Sequence, residues 1–267
     1  MRRTPVQEPI NPAPGPTLIG RWTAKGTGAS REEIQLLSAP AVICLATARP
    51  TRVGAMHKAP MAANSLALPS GPDANHPTCI LGKGWDSGCP NPPELWGTQR
   101  IWNVLDLTGT SNAVISCLEI SDHSGCVESH ENPQVRCERD NYPYGQWAAA
   151  GIFASDSSHV TLKNLNIHGL ASTGIWAGRI SYWTEEDVRI AGNGWVGWDG
   201  DIGASSSNSG TLTFRHWTVE WNGCGETWPG LQPTGCWGQE AGGYGDGVGT
   251  CTTGGRWIIE DSAFRHN

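Results

Sequence analysis

Residues 151–193, GIFASDSSHVTLKNLNIHGLASTGIWAGRISYWTEEDVRIAGN, contain one short template twice and set the period of the fold. The template reads LxxLxI at 162–167 and returns as VxI at 188–190. A glycine followed by two large apolar residues precedes each copy, at 151–153 and at 174–176. Short apolar runs between glycine-rich turns are typical of short β-strands. Their return at a fixed spacing predicts a repetitive β-structure.

The same template occurs three more times along the chain. It reads IxxLxI at 115–120, FxxWxV at 214–219 and IxxSxF at 259–264. The copies are unequally spaced, so the intervening loops differ in length while the core is shared. In the last three copies an asparagine stands three positions after the final apolar residue, and these asparagines are Asn193, Asn222 and Asn267.

Two repeat architectures share this pattern. The stretch 214–222 also matches the leucine-rich repeat, but that fold needs a helix or similar segment after the asparagine. Residues 194–201, GWVGWDGD, oppose a helix. We therefore predict an all-β fold, a parallel β-helix of about five coils over residues 76–267, in which the aligned asparagines form an internal ladder. Residues 1–75 are predicted to be irregular or poorly ordered. A leucine-rich repeat or another all-β fold is the alternative.

Composition and charge narrow the class of partner. The chain has 35 Gly, 18 Pro and 16% charged residues, which suits a turn-dense β architecture. No run of about 18 apolar residues exists, so no membrane span is expected. Residues 1–75 carry eight Lys or Arg and four Asp or Glu, which leaves a net charge of −11 on residues 76–267. An acidic domain disfavours nucleic acid and suits neutral sugars, cations or an extracellular surface.

The nine cysteines point to an oxidising compartment. Three pairs lie close together in Gly/Pro-rich stretches, which predicts loop-stapling disulfides. The alternative is a set of reduced thiols in a cytosolic protein. Proline residues interrupt the N-terminal region where a signal peptide would have its apolar core. We expect a secreted protein whose natural N-terminus lies outside this sequence. The cysteine pairs are Cys79/Cys89, Cys126/Cys137 and Cys224/Cys236.

The stretch 151–193 resembles the repeats of right-handed parallel β-helix proteins, the superfamily of pectate lyases and polygalacturonases. The resemblance covers residues 100–267. More narrowly, CERDNYPYG at 137–145 and NGWVGWDGDIG at 193–203 resemble secreted bacterial β-helix proteins that lack an assigned activity. The resemblance implies a right-handed coil, secretion and further coils after Asn267, which would make this sequence a fragment. It implies no activity, because the catalytic motifs of both enzyme groups are missing.

An acidic pair is the first candidate for chemistry. Asp201 precedes Leu212 by as many positions as Asp246 precedes Trp257, and Leu212 and Trp257 are equivalent in successive copies. Stacked in register, the two carboxylates would lie about 5 Å apart. They would then serve as acid and base in glycoside hydrolysis or bind Ca²⁺, with Asp199 as a third carboxylate. The alternative is that these are turn residues bonding local backbone.

Two basic residues and several tryptophans complete the candidate site. His168 and Arg179 would lie near the acids and stabilise a uronate or an oxyanion. The alternative is that they are a turn histidine and a surface arginine. Tryptophans in loops would give flat surfaces for sugar rings, or would instead pack under the loops. They are Trp195, Trp198, Trp221, Trp228 and Trp237.

These features predict a monomeric, carbohydrate-active protein, a hydrolase or lyase acting on polysaccharide. A non-catalytic glycan-binding or scaffold protein, or a gene fragment without independent function, is the alternative.

Overall fold

The structure is a computed structural model. It describes residues 18–21, 42–45, 51–54, 67–98, 102–121, 130–134, 148–202, 207–223, 228–229, 246–250 and 254–267. The strands are β1 (Leu18–Arg21), β2 (Val42–Leu45), β3 (Thr51–Gly54), β4 (Thr78–Gly82), β5 (Glu94–Thr98), β6 (Asn103–Asp106), β7 (Ser111–Ser121), β8 (Ala150–Ser155), β9 (Ser158–His168), β10 (Thr173–Gly178), β11 (Ser181–Ala191), β12 (Val196–Asp199), β13 (Asn208–Arg215), β14 (Thr218–Glu220), β15 (Asp246–Gly249), β16 (Gly254–Glu260) and β17 (Ala263–Arg265).

These strands form two sheets in which every pairing between strands is parallel. The long sheet runs β1-β2-β4-β7-β9-β11-β13-β16, with β3, β5, β14 and β17 beside that path. The short sheet runs β15-β12-β10-β8-β6. From β6 to β13 the chain visits the short and the long sheet alternately. The protein is therefore all-β with parallel sheets, and its described residues include no helix long and apolar enough to cross a membrane.

The register of the long sheet matches the template spacing. Ile115 of β7 pairs with Leu162 of β9, which are the first apolar positions of their two copies. The last apolar positions pair in the same way, Ile167 with Ile190, Ile190 with Val219, and Val219 with Phe264. The predicted register is confirmed, because equivalent positions of the template are paired across neighbouring strands.

The inward template positions form the hydrophobic core. Ile115, Leu162, Phe214 and Trp217 have no exposed surface, and they belong to one cluster of buried residues that runs through both sheets. Burial of this apolar surface is the main force that holds successive strands in register.

The asparagine ladder is also confirmed. The side-chain amide of Asn193 donates to Oδ1 of Asn222 at 2.9 Å, and that of Asn222 donates to Oδ1 of Asn267 at 2.9 Å. Asn222 Nδ2 also lies 3.2 Å from the Ile190 carbonyl and 3.1 Å from the Glu220 carbonyl. Backbone groups at this buried turn are thereby satisfied by side chains.

Left-handed backbone recurs at aligned positions and bends the chain at the same point of each long strand. A positive φ is uncommon outside glycine, so its repetition marks a turn that belongs to the repeat. Five such residues follow one another from strand to strand: Cys117, Asn164, Asp187, His216 and Asp261.

The long sheet extends into the N-terminal region. Strands β1, β2 and β3 lie within residues 1–75, where the sequence predicts an irregular segment because no alternating pattern is sustained there. β2 pairs with β4, and β3 pairs with β5. Sheet pairing therefore crosses residue 75, and the proposed division of the chain at that point stays a prediction.

The disulfide pairing differs from the predicted one. Cys89 bonds Cys117, 28 residues away, so its predicted pairing with Cys79 is wrong. Cys79 lies within β4, whereas Cys89 lies in the loop after β4 and reaches the bend of the adjacent strand β7. Cys89 bonds the cysteine that lies near it on a neighbouring strand. Spacing along the sequence does not reveal which cysteine that is.

The other two predicted disulfides are not tested by this structure. Cys126 and Cys137 lie outside the described residues, and so do Cys224 and Cys236. The pairings Cys126/Cys137 and Cys224/Cys236 therefore stay predictions. The failure of the Cys79/Cys89 pairing shows that closeness in sequence is a weak guide to them.

Candidate functional site

A strip of polar side chains crosses the long sheet on its outward side. Its members alternate with the inward core positions at the ends of β7, β9, β11, β14 and β17. Two rows result from the register, one through Glu119, Asn166 and Arg189, the other through His168, Ala191, Glu220 and Arg265. We call this set the polar strip; it comprises Glu119, Asn166, His168, Arg189, Glu220 and Arg265.

A histidine–carboxylate pair lies at one end of the polar strip. His168 Nε2 and Glu119 Oε1 are 2.6 Å apart, and the two side chains are 15% and 33% exposed. A carboxylate in this position fixes the orientation of the imidazole. A half-buried imidazole held in this way is suited to proton transfer.

Two arginines hold the carboxylate at the other end. Arg189 Nε donates to Glu220 Oε1 at 2.9 Å, and Arg265 Nε donates to Glu220 Oε2 at 2.6 Å. Burial of Glu220 raises its pKa, but the hydrogen bond from Arg265 and the charge of Arg189 outweigh this, so the pKa lies below its ordinary value. Glu220 is therefore ionised throughout the neutral and mildly acidic range.

Ala191 separates these two ends. It pairs with His168 on one side and with Glu220 on the other. Two strand spacings amount to about 9.6 Å. Ala191 has no exposed surface, so a covered position separates the imidazole from the ionised carboxylate.

Two connecting segments meet beside the polar strip. Glu131 forms an ion pair with Arg189, and the backbone N–H of Trp228 donates to the carbonyl of His130 at 2.9 Å. The ring centroids of Trp221 and Trp228 are 6.0 Å apart, and Trp228 is 41% exposed. An aromatic surface therefore borders the charged groups.

The predicted acidic pair is not in register. Val196 pairs with Asp246, and Asp199 pairs with Gly249, so Asp201 and Asp246 do not occupy equivalent positions. In the long sheet Leu212 does pair with Trp257, as predicted. The connection from β15 to β16 is shorter than the connection from β12 to β13. Residues that lie the same number of positions before Leu212 and before Trp257 are therefore not paired with each other in the short sheet.

Asp199 nevertheless has an unusual environment. Burial, together with the nearby charges of Asp201 and Asp246, raises the pKa of Asp199 to about 6. Its neighbour across the sheet is Trp176, whose Nε1 is buried without a hydrogen-bond partner. Asp199 Oδ1 accepts the backbone N–H of Asp201 at 2.9 Å.

Asp106 repeats the turn of Asp199. Its Oδ1 accepts the N–H of Thr108 at 2.9 Å, at the same position of the short sheet. Because two strands end with this hydrogen bond, it supports the alternative that Asp199 is a turn residue.

Arg179 is engaged by a different carboxylate. Its Nε and Nη2 each donate to a carboxylate oxygen of Asp156 at 2.6 Å. The structure thus places Arg179 with Asp156 and His168 with Glu119, rather than with the predicted acids. Within the described part of the chain, no group of three or more His, Cys, Asp or Glu side chains is arranged to hold a metal ion, so the Ca²⁺ hypothesis has no support from geometry.

The tryptophans divide between surface and core. Trp198 was predicted to be a loop platform, which is wrong, because it has no exposed surface and donates its Nε1–H to Glu185 inside the core. Trp195 and Trp221 are half-buried, Trp228 is exposed, and Trp237 lies outside the described residues. Of the predicted platforms, Trp221 and Trp228 are brought together beside the polar strip.

Comparisons with known protein families, with curated proteins and with solved structures find no match for this chain.

The sequence pattern did not single out four charged residues of the polar strip: Glu119, Arg189, Glu220 and Arg265. Each stands between or next to the apolar positions of the template, where outward-facing side chains are expected. Listing the outward positions of successive copies would have found them.

Proposed function

We propose that this chain is a right-handed parallel β-helix protein, secreted and carbohydrate-active, with polysaccharide bound at the polar strip. Three observations support the coil: the alternation between two parallel sheets, the asparagine ladder and the recurring left-handed bends. The pair of His168 with Glu119 carries the proposal of activity.

In this proposal, His168 transfers a proton at the glycosidic linkage and Glu119 is its positioning residue. Glu220, kept ionised by its two arginines, lies two strands away, on the other side of Ala191. Trp221 and Trp228 offer apolar faces against which sugar rings pack. Either hydrolysis or elimination is compatible with these roles.

The test measures product release from a polysaccharide panel, as new reducing ends for hydrolysis and as ultraviolet absorbance of unsaturated ends for elimination. His168→Ala should lower the rate by about 10²–10⁴-fold. Glu119→Gln should lower the rate less, since an amide holds the imidazole less firmly than a carboxylate does. His159→Ala is the matched control, because His159 is exposed and stacks on Tyr182 elsewhere on the long sheet. Unchanged activity in folded His168→Ala would exclude this assignment.

Non-catalytic glycan binding is the second candidate, and the pairing of the half-buried Trp221 with the exposed Trp228 favours it. It predicts binding without product release. Trp228→Ala should then weaken binding at least about tenfold, whereas His168→Ala should leave it unchanged.

A further inference from the structure

The two arginines of the polar strip are already neutralised by protein carboxylates. Arg189 donates through Nε to Glu220 at 2.9 Å and through Nη1 to Asn166 at 3.2 Å, and it also pairs with Glu131. Arg265 donates to the second oxygen of Glu220 at 2.6 Å. Both oxygens of one carboxylate are thus bound by two guanidinium groups, and a ligand carboxylate would have to compete with Glu220 for either cation.

Carboxylates outnumber cationic groups among the described side chains at the polar strip. Glu119, Glu131 and Glu220 stand against Arg189, Arg265 and His168, and Glu94, whose Oε1 accepts a hydrogen bond from Ser121, adds a fourth carboxylate on β5 beside β7. An anionic sugar placed here would meet like charges at short range in a half-buried setting, where screening is weak.

The polar atoms of the strip suit hydroxyl groups. Carboxylates and amide oxygens accept hydrogen bonds, whereas guanidinium and imidazole groups donate them, and a sugar hydroxyl can do both. The aromatic pair Trp221–Trp228 adds an uncharged contact. We infer that the polar strip takes a neutral polyhydroxyl chain rather than a polyuronate, and hence that the reaction is hydrolysis, because elimination needs a uronate carboxylate to make the neighbouring C–H acidic. This inference rests on the proposed function, whose site it shares.

The test compares a polyuronate with the same polymer after reduction of its carboxyl groups to alcohols, so that charge is the main difference between the ligands. Binding to the full chain is measured by calorimetry at low and high salt, and turnover is measured in parallel. The neutral polymer should bind at least about tenfold more tightly, and its affinity should hardly change with salt.

A variant sharpens the result. Glu131→Gln removes one of the two carboxylates that pair with Arg189, so it should raise affinity for the polyuronate and leave affinity for the neutral polymer unchanged. Glu260→Gln is the matched control, because Glu260 forms a 2.6 Å ion pair with Arg215 away from the polar strip.

The outcomes separate the two proposals. Preference for the neutral polymer, with or without turnover, supports the neutral-substrate inference. Polyuronate turnover that is lost in His168→Ala overturns that inference and keeps the proposed function. Neither polymer bound nor cleaved overturns both. Tighter binding of the polyuronate by the unmodified chain also overturns the inference.

Discussion

Trp198 donates its indole N–H to Oε1 of Glu185 at 3.1 Å, in a core where neither residue has exposed surface. The second carboxyl oxygen of Glu185 has no hydrogen-bond partner. Glu185 pairs with Leu162 on one strand and with Phe214 on the next, so it occupies an apolar position of the template. The sequence pattern does not reveal this position, because the second copy of the template is apolar only at 188–190.

Removing this carboxyl should change the pH dependence of stability. Burial raises the pKa of Glu185 to about 8, although the Trp198 hydrogen bond opposes the shift. The folded chain keeps a proton that the unfolded chain loses above about pH 4.5, so this contribution is complete at low pH and is lost as pH rises through about 8. Between pH 4.5 and 8, the free energy of unfolding should fall by about 1.4 kcal/mol per pH unit because of this group. Glu185→Gln should match the unmodified chain near pH 4 and exceed its stability near pH 8, in urea unfolding.

Glu186→Gln is the control for this measurement. Glu186 is the next residue, lies outward and accepts a hydrogen bond from Lys163 at 2.7 Å. The Glu186→Gln variant should show the same dependence of unfolding free energy on pH between pH 5 and 8 as the unmodified chain. An equal slope in Glu185→Gln and the unmodified chain would contradict a protonated core carboxyl.

Asp199→Asn distinguishes a turn residue from a catalytic acid. With a pKa near 6, Asp199 stabilises the fold in its protonated form below about pH 4, and this contribution is lost as pH rises through 6. Because asparagine keeps the oxygen that accepts the Asp201 N–H, we expect a variant that is more stable than the unmodified chain above pH 6 and fully active. Asp106→Asn serves as the control with the same turn bond. Lost activity in folded Asp199→Asn alone would restore the acid/base prediction, and Asp201→Asn and Asp246→Asn would extend that test.

Breaking the asparagine ladder should be costly. Asn222→Ala removes the acceptor for Asn193 and the donor to Asn267, and leaves two buried carbonyls with fewer partners. At about 1–3 kcal/mol for each unsatisfied group, the loss should reach roughly 3 kcal/mol or more in urea unfolding. Asn166→Ala, on the outward face, should cost less than about 1 kcal/mol. Equal losses in the two variants would argue against a ladder that bears on stability.

The cross-strand disulfide should be visible by peptide mapping. Without reduction, the peptides that contain Cys89 and Cys117 should migrate together, and Cys79→Ser should not alter that result. Closing a loop of 28 residues corresponds to about 3–4 kcal/mol in the chain-entropy description, so Cys117→Ala should lower stability by a similar amount. A peptide that links Cys79 to Cys89 would contradict the pairing.

The register of the long sheet followed from the amino-acid pattern alone. The template at 115–120 and 162–167 lies within β7 and β9, and the copy at 214–219 runs from β13 into β14 across the bend. Inward residues recur at the same positions of each copy. Counting along such a strand is reliable, and the aligned positions of Asn193 and Asn222 followed from it.

Features that depend on the connections between strands could be known only from the folded chain. Because the connection from β15 to β16 is shorter than that from β12 to β13, Asp246 lies opposite Val196 although Trp257 lies opposite Leu212. The inward turn of Trp198 and the bond from Cys89 to Cys117 likewise depend on where neighbouring strands lie. Loop length sets these positions, and a loop carries no periodic pattern from which its path can be counted.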